Sequence, residues 1–353
     1  MAYSSDSKVK RKLLEIHQEA KLKNLKPRWH EESNDDQKLW NDGGLTFSHD
    51  GFQYGSNDFA WYLDKPSIVN GVHSKTTPVV VVEGTVGLNA GNTGSAQFAR
   101  FSHSLGASLN GVCGITFQNF QGTYRNQPAY SQYDYIIATT EITKKLQTPN
   151  LFIDYDNPNL LIHLLKAYDQ NNVASINKII HECLITAKKF AESRNKNKVF
   201  LINQNENNFL KINWSDLYNK KYRDSSAAYI KIMWFNILAF TTSSDRNDHT
   251  VLGEVLANSY LFPDLKGYLL LPRCSKKDLT VLKNSHKKEH RLLSNHKDIN
   301  LLTFDDINFG NNPLKEKISN IRKKKLLGKF LKEKNDLNNE LFKCIINKQI
   351  KIL

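Results

Sequence analysis

The sequence predicts an α/β protein whose central mixed sheet is flanked by helices. Three observations predict it. Val79-Val80-Val81-Val82 is an unbroken β-branched run behind Pro78, as in a strand buried on both faces. A turn carrying Gly84, Gly87, Gly91 and Gly94 then leads into a helical stretch from Ser95 to Leu109. Val112 to Phe117 follows as a further apolar strand, so strand, helix and strand alternate along the chain.

In chain order, residues 7–28 read as a basic helix with Leu13, Leu14, Ile16, Leu22 and Leu25 at helical spacing, and Pro27 marks its end. Residues 29–50 are polar and acidic, with Trp29 and Trp40 as anchors. Leu45–Phe47 and Phe52–Tyr54 pair across His49-Asp50-Gly51, and Asp58–Leu63 is another strand. Tyr135–Thr139 reads as a strand as well. Beyond Asn157 the spacing predicts helices at Leu160–Tyr168 and Val173–Ala191, and strands at Lys198–Ile202 and Phe209–Trp214. Helices at Ala227–Thr241 and Asp248–Leu261 and a strand at Lys266–Leu271 follow. The basic tail is amphipathic, with Ile318, Ile321, Leu326, Leu327 and Phe330 on its apolar side. The predicted organisation is a basic helix and acidic segment over 1–44, a core with the buried strands over 45–156, and a mostly helical part with a basic tail over 157–353.

Of the 353 residues, 40% are hydrophobic and 24% charged, a balance that excludes a disordered chain. No apolar run approaches the roughly 20 residues of a membrane span, and the N-terminus has no apolar signal region. Cys113, Cys183, Cys274 and Cys344 are scattered and form no CxxC, which argues against a zinc knuckle or a disulfide framework. The expectation is a cytoplasmic protein with no membrane association. The net charge is +14, unevenly spread. Residues 8–28 hold eight Lys/Arg, and residues 310–353 hold twelve against four acids, whereas residues 31–64 carry eight acids and one lysine. An acidic island inside a basic chain suits a protein that grips a polyanion and holds cations at one point. A basic, Asn-rich composition drawn from an AT-rich genome accounts for the same charge without a partner.

Asp58 and Glu83 lie on neighbouring strand candidates, and antiparallel pairing in register brings their carboxylates within a few ångströms. Two acids that close repel unless a cation lies between them, and paired carboxylates suit Mg²⁺. Two other readings stay open: Asp58 caps a turn while Glu83 pairs with Arg100, or the glycines cradle a phosphate. The second lacks the Lys-Ser/Thr of a P-loop, and no GxGxxG is present. His73 and His103 are near in sequence but are left outside the expected catalytic set.

Asn57-Asp58-Phe59, then Val79-Val80-Val81-Val82-Glu83-Gly84-Thr85, then Gln97 with Phe101 four residues on, resemble the motif of the PD-(D/E)xK nuclease superfamily, to which Type II restriction endonucleases belong. The resemblance covers about residues 45–120. It implies a restriction-endonuclease-like core, Mg²⁺ held by Asp58 and Glu83, and Gln97 supporting the site from the helix. Thr85 stands where the family usually has lysine; Lys75 or Arg100 are the alternative sources of that positive charge.

Ser243 to Thr250 is dense in recognition groups between two apolar segments. Arg246, Asn247, Asp248 and His249 are of the types that reach base edges, although Asp248 or Thr250 also suits a helix cap. Arg125, in an amide- and aromatic-rich loop, and Lys323 and Lys324, in the basic tail, suit phosphate contacts, as does Arg100. The expectation is a Mg²⁺-dependent, sequence-specific endonuclease of double-stranded DNA, homodimeric if its target is palindromic. The alternative is a non-catalytic DNA-binding protein using the same basic surfaces.

Overall fold

The computed structural model describes residues 5–29, 45–50, 52–63, 68–69, 72–73, 77–85, 95–119, 123–124, 127–128, 134–194, 198–203, 208–219, 227–234, 248–285, 298–322 and 327–352. It is an α/β chain in two compact units, one of residues 1–89 and 97–194, the other of residues 90–96 and 195–353.

The first unit contains α1 (Ser5–Ala20), β1 (Lys26–Trp29), the hairpin β2 (Leu45–His49) and β3 (Phe52–Asn57), β4 (Phe59–Tyr62) and β5 (Val80–Thr85). It continues with α2 (Ser95–Leu109), β6 (Cys113–Gln118), α3 (Asp134–Leu146), β7 (Asn150–Asp154), α4 (Asn159–Asp169) and α5 (Val173–Arg194). Its sheet has the order β1-β4-β5-β6-β7. β4 is antiparallel to both neighbours, while β5, β6 and β7 are parallel.

The valine run forms the middle strand for the reason the sequence gives. Val80, Val81 and Val82 are all fully buried, each contributing about 1.5–3 kcal/mol of burial. Val80 and Val82 point into the core that α1, α4 and α5 close with Val9, Leu13, Ile16, Leu161, Leu165 and Cys183. Val81 points the other way, into the core shared with α2 and the β2–β3 hairpin. Strand alternation sends Glu83 to that same α2 side. Gly84 faces α1, where an added Cβ would lie 2.5 Å from Val9 Cγ1.

Several expectations change. Lys26–Trp29 is an edge strand rather than the end of a helix, a place that tolerates Pro27. Tyr135–Thr139 lies in α3, whose Tyr135 packs on Phe101 and Phe152; its β-branched residues are carried by tertiary packing. The strand Asn150–Asp154 has no counterpart in the predicted elements. Helices α4 and α5 follow residue 157 yet belong to the first unit's core.

The second unit contains β8 (Lys198–Asn203), β9 (Asn208–Asn213), α6 (Trp214–Asn219), β10 (Ala227–Ile232), α7 (Asp248–Leu261) and β11 (Lys266–Leu271). Then come α8 (Lys276–Ser285), β12 (Ile299–Thr303), the short β13 (Ile307–Asn308), α9 (Leu314–Arg322), α10 (Leu327–Ile346) and the short β14 (Lys351–Ile352). Its five-stranded sheet runs β9-β8-β10-β11-β12, with β8 antiparallel to both neighbours and the last three strands parallel. Ala227–Ile232, expected in a helix, is the middle strand and is buried throughout. A six-residue run buried on both faces shows neither period, so length alone separates the two structures. Phe200, Ile230 and Ile232 pack against Ile318, Leu341 and Phe342 on one face; Met233, Leu269 and Leu271 pack against Val255 on the other. Among the described residues no helix is long and apolar enough to cross a membrane, and the four cysteines are buried.

Candidate active site

The antiparallel register of β4 and β5 sets Phe59 opposite Val82, Ala60 opposite Val81 and Trp61 opposite Val80. The register ends there, and Asp58 occupies the bend between β3 and β4 immediately before Phe59. The Gly84 N–H donates to Asp58 Oδ2 at 3.1 Å, which fixes the carboxylate at the strand end.

Helix α2 brings an arginine and a histidine to this pair. Arg100 Nε lies 3.6 Å from Glu83 Oε1, and His103 Nδ1 lies 3.3 Å from Glu83 Oε2. Their three-residue spacing puts both on one helix face. Hairpin β2–β3 is tied to the same turn of α2. Ser102 Oγ donates to Tyr54 O at 3.4 Å, and the fully buried Asn57 donates through Nδ2 to His103 O at 3.3 Å. Gly55, at φ +95°, makes room for the His103 ring: a Cβ there would lie 2.2 Å from its Cδ2 and Nε2. Asn57, which holds His103 O, directly precedes Asp58 in the chain.

A buried polar seam sets the register of α2 on the sheet. Ser104 Oγ lies 3.1 Å from Thr116 Oγ1, and Asn150 Nδ2 donates to Ser104 Oγ at 3.3 Å and to Ser108 Oγ at 3.1 Å. Ser108 Oγ donates to Pro149 O at 2.8 Å. Thr116 stands opposite Glu83 in the β5–β6 register, so the seam runs beside the acid. Helix and strand meet this closely because residue 114 is glycine; a Cβ there would stand 2.1 Å from Ser104 O.

The electrostatics follow from this packing. The Asp58 carboxyl is raised well above the ordinary carboxylate range, chiefly by burial and then by the charge of Glu83. The Gly84 N–H, Arg100 and His103 act in the opposite direction and do not cancel it. Glu83 is only 6% exposed. Two crowded carboxylates, one resisting ionisation, are a donor set that a divalent cation relieves. They fit Mg²⁺, which takes one or two carboxylates and completes its shell with water and phosphate oxygens. Among the described residues no group of three or more His, Cys, Asp or Glu is arranged to hold a metal, so a caged Zn²⁺ or Ca²⁺ centre does not match.

Of the expected site residues, Asp58, Glu83 and Arg100 come together. Thr85 ends β5 opposite Gln118 of β6, and Gln97 lies in the first turn of α2. Asp248 and His249 open α7, as expected for a helix starting there. Lys75, Arg125, Arg246, Asn247, Lys323 and Lys324 lie outside the described residues. His103, set aside in the sequence, stands against Glu83; its place three residues after Arg100 was the available signal. The expected Glu83–Arg100 pairing occurs, with Asp58 held on the Gly84 N–H next to Glu83. No family model, curated protein or solved structure matches the chain.

Proposed function

We propose that the chain is a Mg²⁺-dependent endonuclease of double-stranded DNA, of the Type II restriction kind, with its active site at the end of β5. The observation that carries this reading is the Gly84 N–H bond that holds Asp58 at the end of β5 next to Glu83, with α2 delivering Arg100 and His103 to Glu83. Asp58 and Glu83 would hold the metal. Bound there, Mg²⁺ would polarise a phosphoryl oxygen and lower the pKa of a bound water.

The chain's own groups have distinct parts. Arg100 supplies from α2 the positive charge that Thr85 does not supply at the usual lysine position. It offsets the two acids and offers a guanidinium to a phosphate. His103 orients Glu83 from the other oxygen, and Asn57 and Gly55 keep His103 in place. Gln97 supports the site from the first turn of α2. The basic N- and C-terminal segments add sequence-independent affinity for the DNA backbone. A homodimer would match a palindromic target.

A second reading has one observation in its favour. Glu83 faces both Arg100 and His103, an arrangement that also suits an ion cluster holding the sheet without chemistry. The protein would then bind DNA and leave it intact. Supercoiled plasmid separates the two. Nicking or linearisation with Mg²⁺, lost with EDTA and lost in Glu83→Ala, supports the nuclease. Binding without cleavage across many DNA sequences in Mg²⁺ removes it.

A further inference from the structure

In the second unit, β8, β9 and α10 gather three lysines on one face. Lys198 stands opposite Asn213 in the β8–β9 register, and Lys211 lies two residues from Asn213 on the same side of the sheet. The two lysines are therefore diagonal neighbours across the strands, about 7–8 Å apart at the backbone. Lys211 Nζ lies 4.7 Å from the centre of the Phe342 ring and donates to Asn339 Oδ1 at 3.4 Å. The next residue of α10 after Phe342 is Lys343. Lys198 Nζ donates to Asn213 Oδ1. Lys198 and Lys343 are exposed and Lys211 is half-buried, so the cluster is open to solvent. Among the described residues no carboxylate forms an ion pair with any of the three; Glu340, one turn away, is committed to Lys317 at 2.7 Å.

Like charges placed across neighbouring strands repel, and a folded protein gains nothing from that repulsion by itself. Its effect is visible on Lys211, whose ammonium is shifted below its ordinary value by burial, then by Lys198 and Lys343. Yet the side chain is not left to swing away. The Phe342 ring and the Asn339 amide hold it at the mouth of the cluster. Two asparagine amides beside three ammonium groups supply donors for the oxygens of a tetrahedral anion. Among the described strands β9 lies at the edge of the sheet.

We propose that Lys198, Lys211 and Lys343, with Asn213 and Asn339, form a binding patch for the phosphate backbone of DNA. This rests on the reading of the chain as a DNA enzyme, and it assigns one surface of the second unit to gripping the substrate. The contact is with phosphates, so it is independent of base sequence and strongly salt-dependent.

The test measures binding of a labelled duplex of about 25 base pairs by the full-length protein over a series of salt concentrations, with EDTA present to prevent cleavage. The proteins compared are wild type, Lys343→Gln and Lys211→Gln/Lys343→Gln. Each lost phosphate contact lowers the slope of log affinity against log salt by about 0.9. The double variant is expected to lose about 1.8, with an unchanged or raised Tm, because repulsion is relieved. Wild-type binding with the same slope in the double variant overturns the patch and leaves the nuclease reading untouched. Absence of any duplex binding by wild type overturns both. A Tm rise on adding inorganic phosphate at constant ionic strength, lost in the variants while the duplex slope stays the same, makes this a free-anion site and overturns the proposal. A duplex gripped through these lysines but never cut in Mg²⁺ leaves the patch standing and removes the nuclease.

Discussion

The two units carry sheets with the same run of strand directions, two antiparallel pairings followed by two parallel ones, and they treat the charge on the middle strand in opposite ways. In the first unit the strand carries the acid, Glu83, and the following helix carries the cation, Arg100. In the second the strand carries the cation, Lys231, and the following helix carries the acid, Glu254. The Lys231–Glu254 pair is sealed, with side chains 2% and 0% exposed, and Asn258 Nδ2 adds a bond to Glu254 Oε1 at 3.0 Å. The Glu83 cluster is more open: Arg100 and His103 are 18% and 17% exposed, and it holds a second acid that burial and Glu83 keep from ionising readily. One charge matched by one charge and closed off fixes a helix on a sheet. Two acids with an arginine and a histidine left partly open form an arrangement that can exchange partners.

Matched substitutions sharpen that contrast. Glu83→Gln is expected to reduce Mg²⁺-dependent DNA cleavage by at least about a hundredfold, since even residues that only support metal ligands cost 10–100-fold, while Tm moves by a few degrees at most. Glu254→Gln is expected to do the reverse. Leaving Lys231 buried without its counter-charge costs about 3–5 kcal/mol, read as a lower Tm, with cleavage retained below the melting range. Swapped effects would end the distinction between an open and a sealed cluster. The double variant Lys231→Met/Glu254→Met should recover most of the stability lost by the single one, because a sealed ion pair is replaceable by apolar volume.

Smaller effects follow from the geometry around Glu83. Gly55→Ala places a Cβ on the His103 ring and forces φ +95° on an L residue, a strain of about 1–3 kcal/mol. It should lower both Tm and cleavage, and an unchanged cleavage rate would detach His103 from the site. Asp58→Asn keeps an acceptor for the Gly84 N–H and removes the crowded charge. It should abolish cleavage while raising Tm by about 2–4 °C, equivalent to about 1 kcal/mol in a domain of this size. A fall in Tm would mean that the Asp58 charge stabilises the fold.

The smallest effect concerns pH, and here the units behave alike. Burial raises the Asp169 carboxyl, but the backbone N–H groups of Leu25, Lys23 and Asn24 outweigh it and bring the group below its ordinary value. Asp306 is lowered in the same way, its burial outweighed by the Thr303 N–H and hydroxyl and by Lys276. A carboxyl lowered in the folded state adds stability above its unfolded pKa of about 3.9, and that stability is lost as pH falls through the lower folded value. Asp169→Asn and Asp306→Asn should each flatten the acid limb of a Tm-against-pH curve, by about 1 kcal/mol or less because both groups are only partly buried and keep access to water. A limb unchanged in both variants would show that neither clasp contributes.

The legible part of the site was the part set by strand register. Asp58 and Glu83 sit at the ends of β-branched or aromatic runs, and period-two alternation is enough to send Glu83 to the α2 side of the sheet. His103 was harder to see, because a helix face becomes a site only when its rotation about the sheet is known, and that rotation depends on Gly114 and the serine seam. Lys231 was hidden for a different reason. A strand buried on both faces carries no alternation, so Ala227–Ile232 read as helix. Tyr135–Thr139 erred the other way, since its aromatic and β-branched residues are held in α3 by contacts with Phe101 and Phe152 that are remote in sequence.

The seam between α2 and the sheet sets a clock. Its bonds from Ser104, Ser108 and Asn150 are directional, and Gly114 brings the strand against the helix with no slack. A one-residue slide of α2 is about 1.5 Å, enough to break all of them together. Arg100 and His103 therefore leave Glu83 as a body only when the helix lifts off entirely. The amides of α2 and β6 should then trade hydrogen for deuterium at the rate of unit-wide opening rather than by fraying.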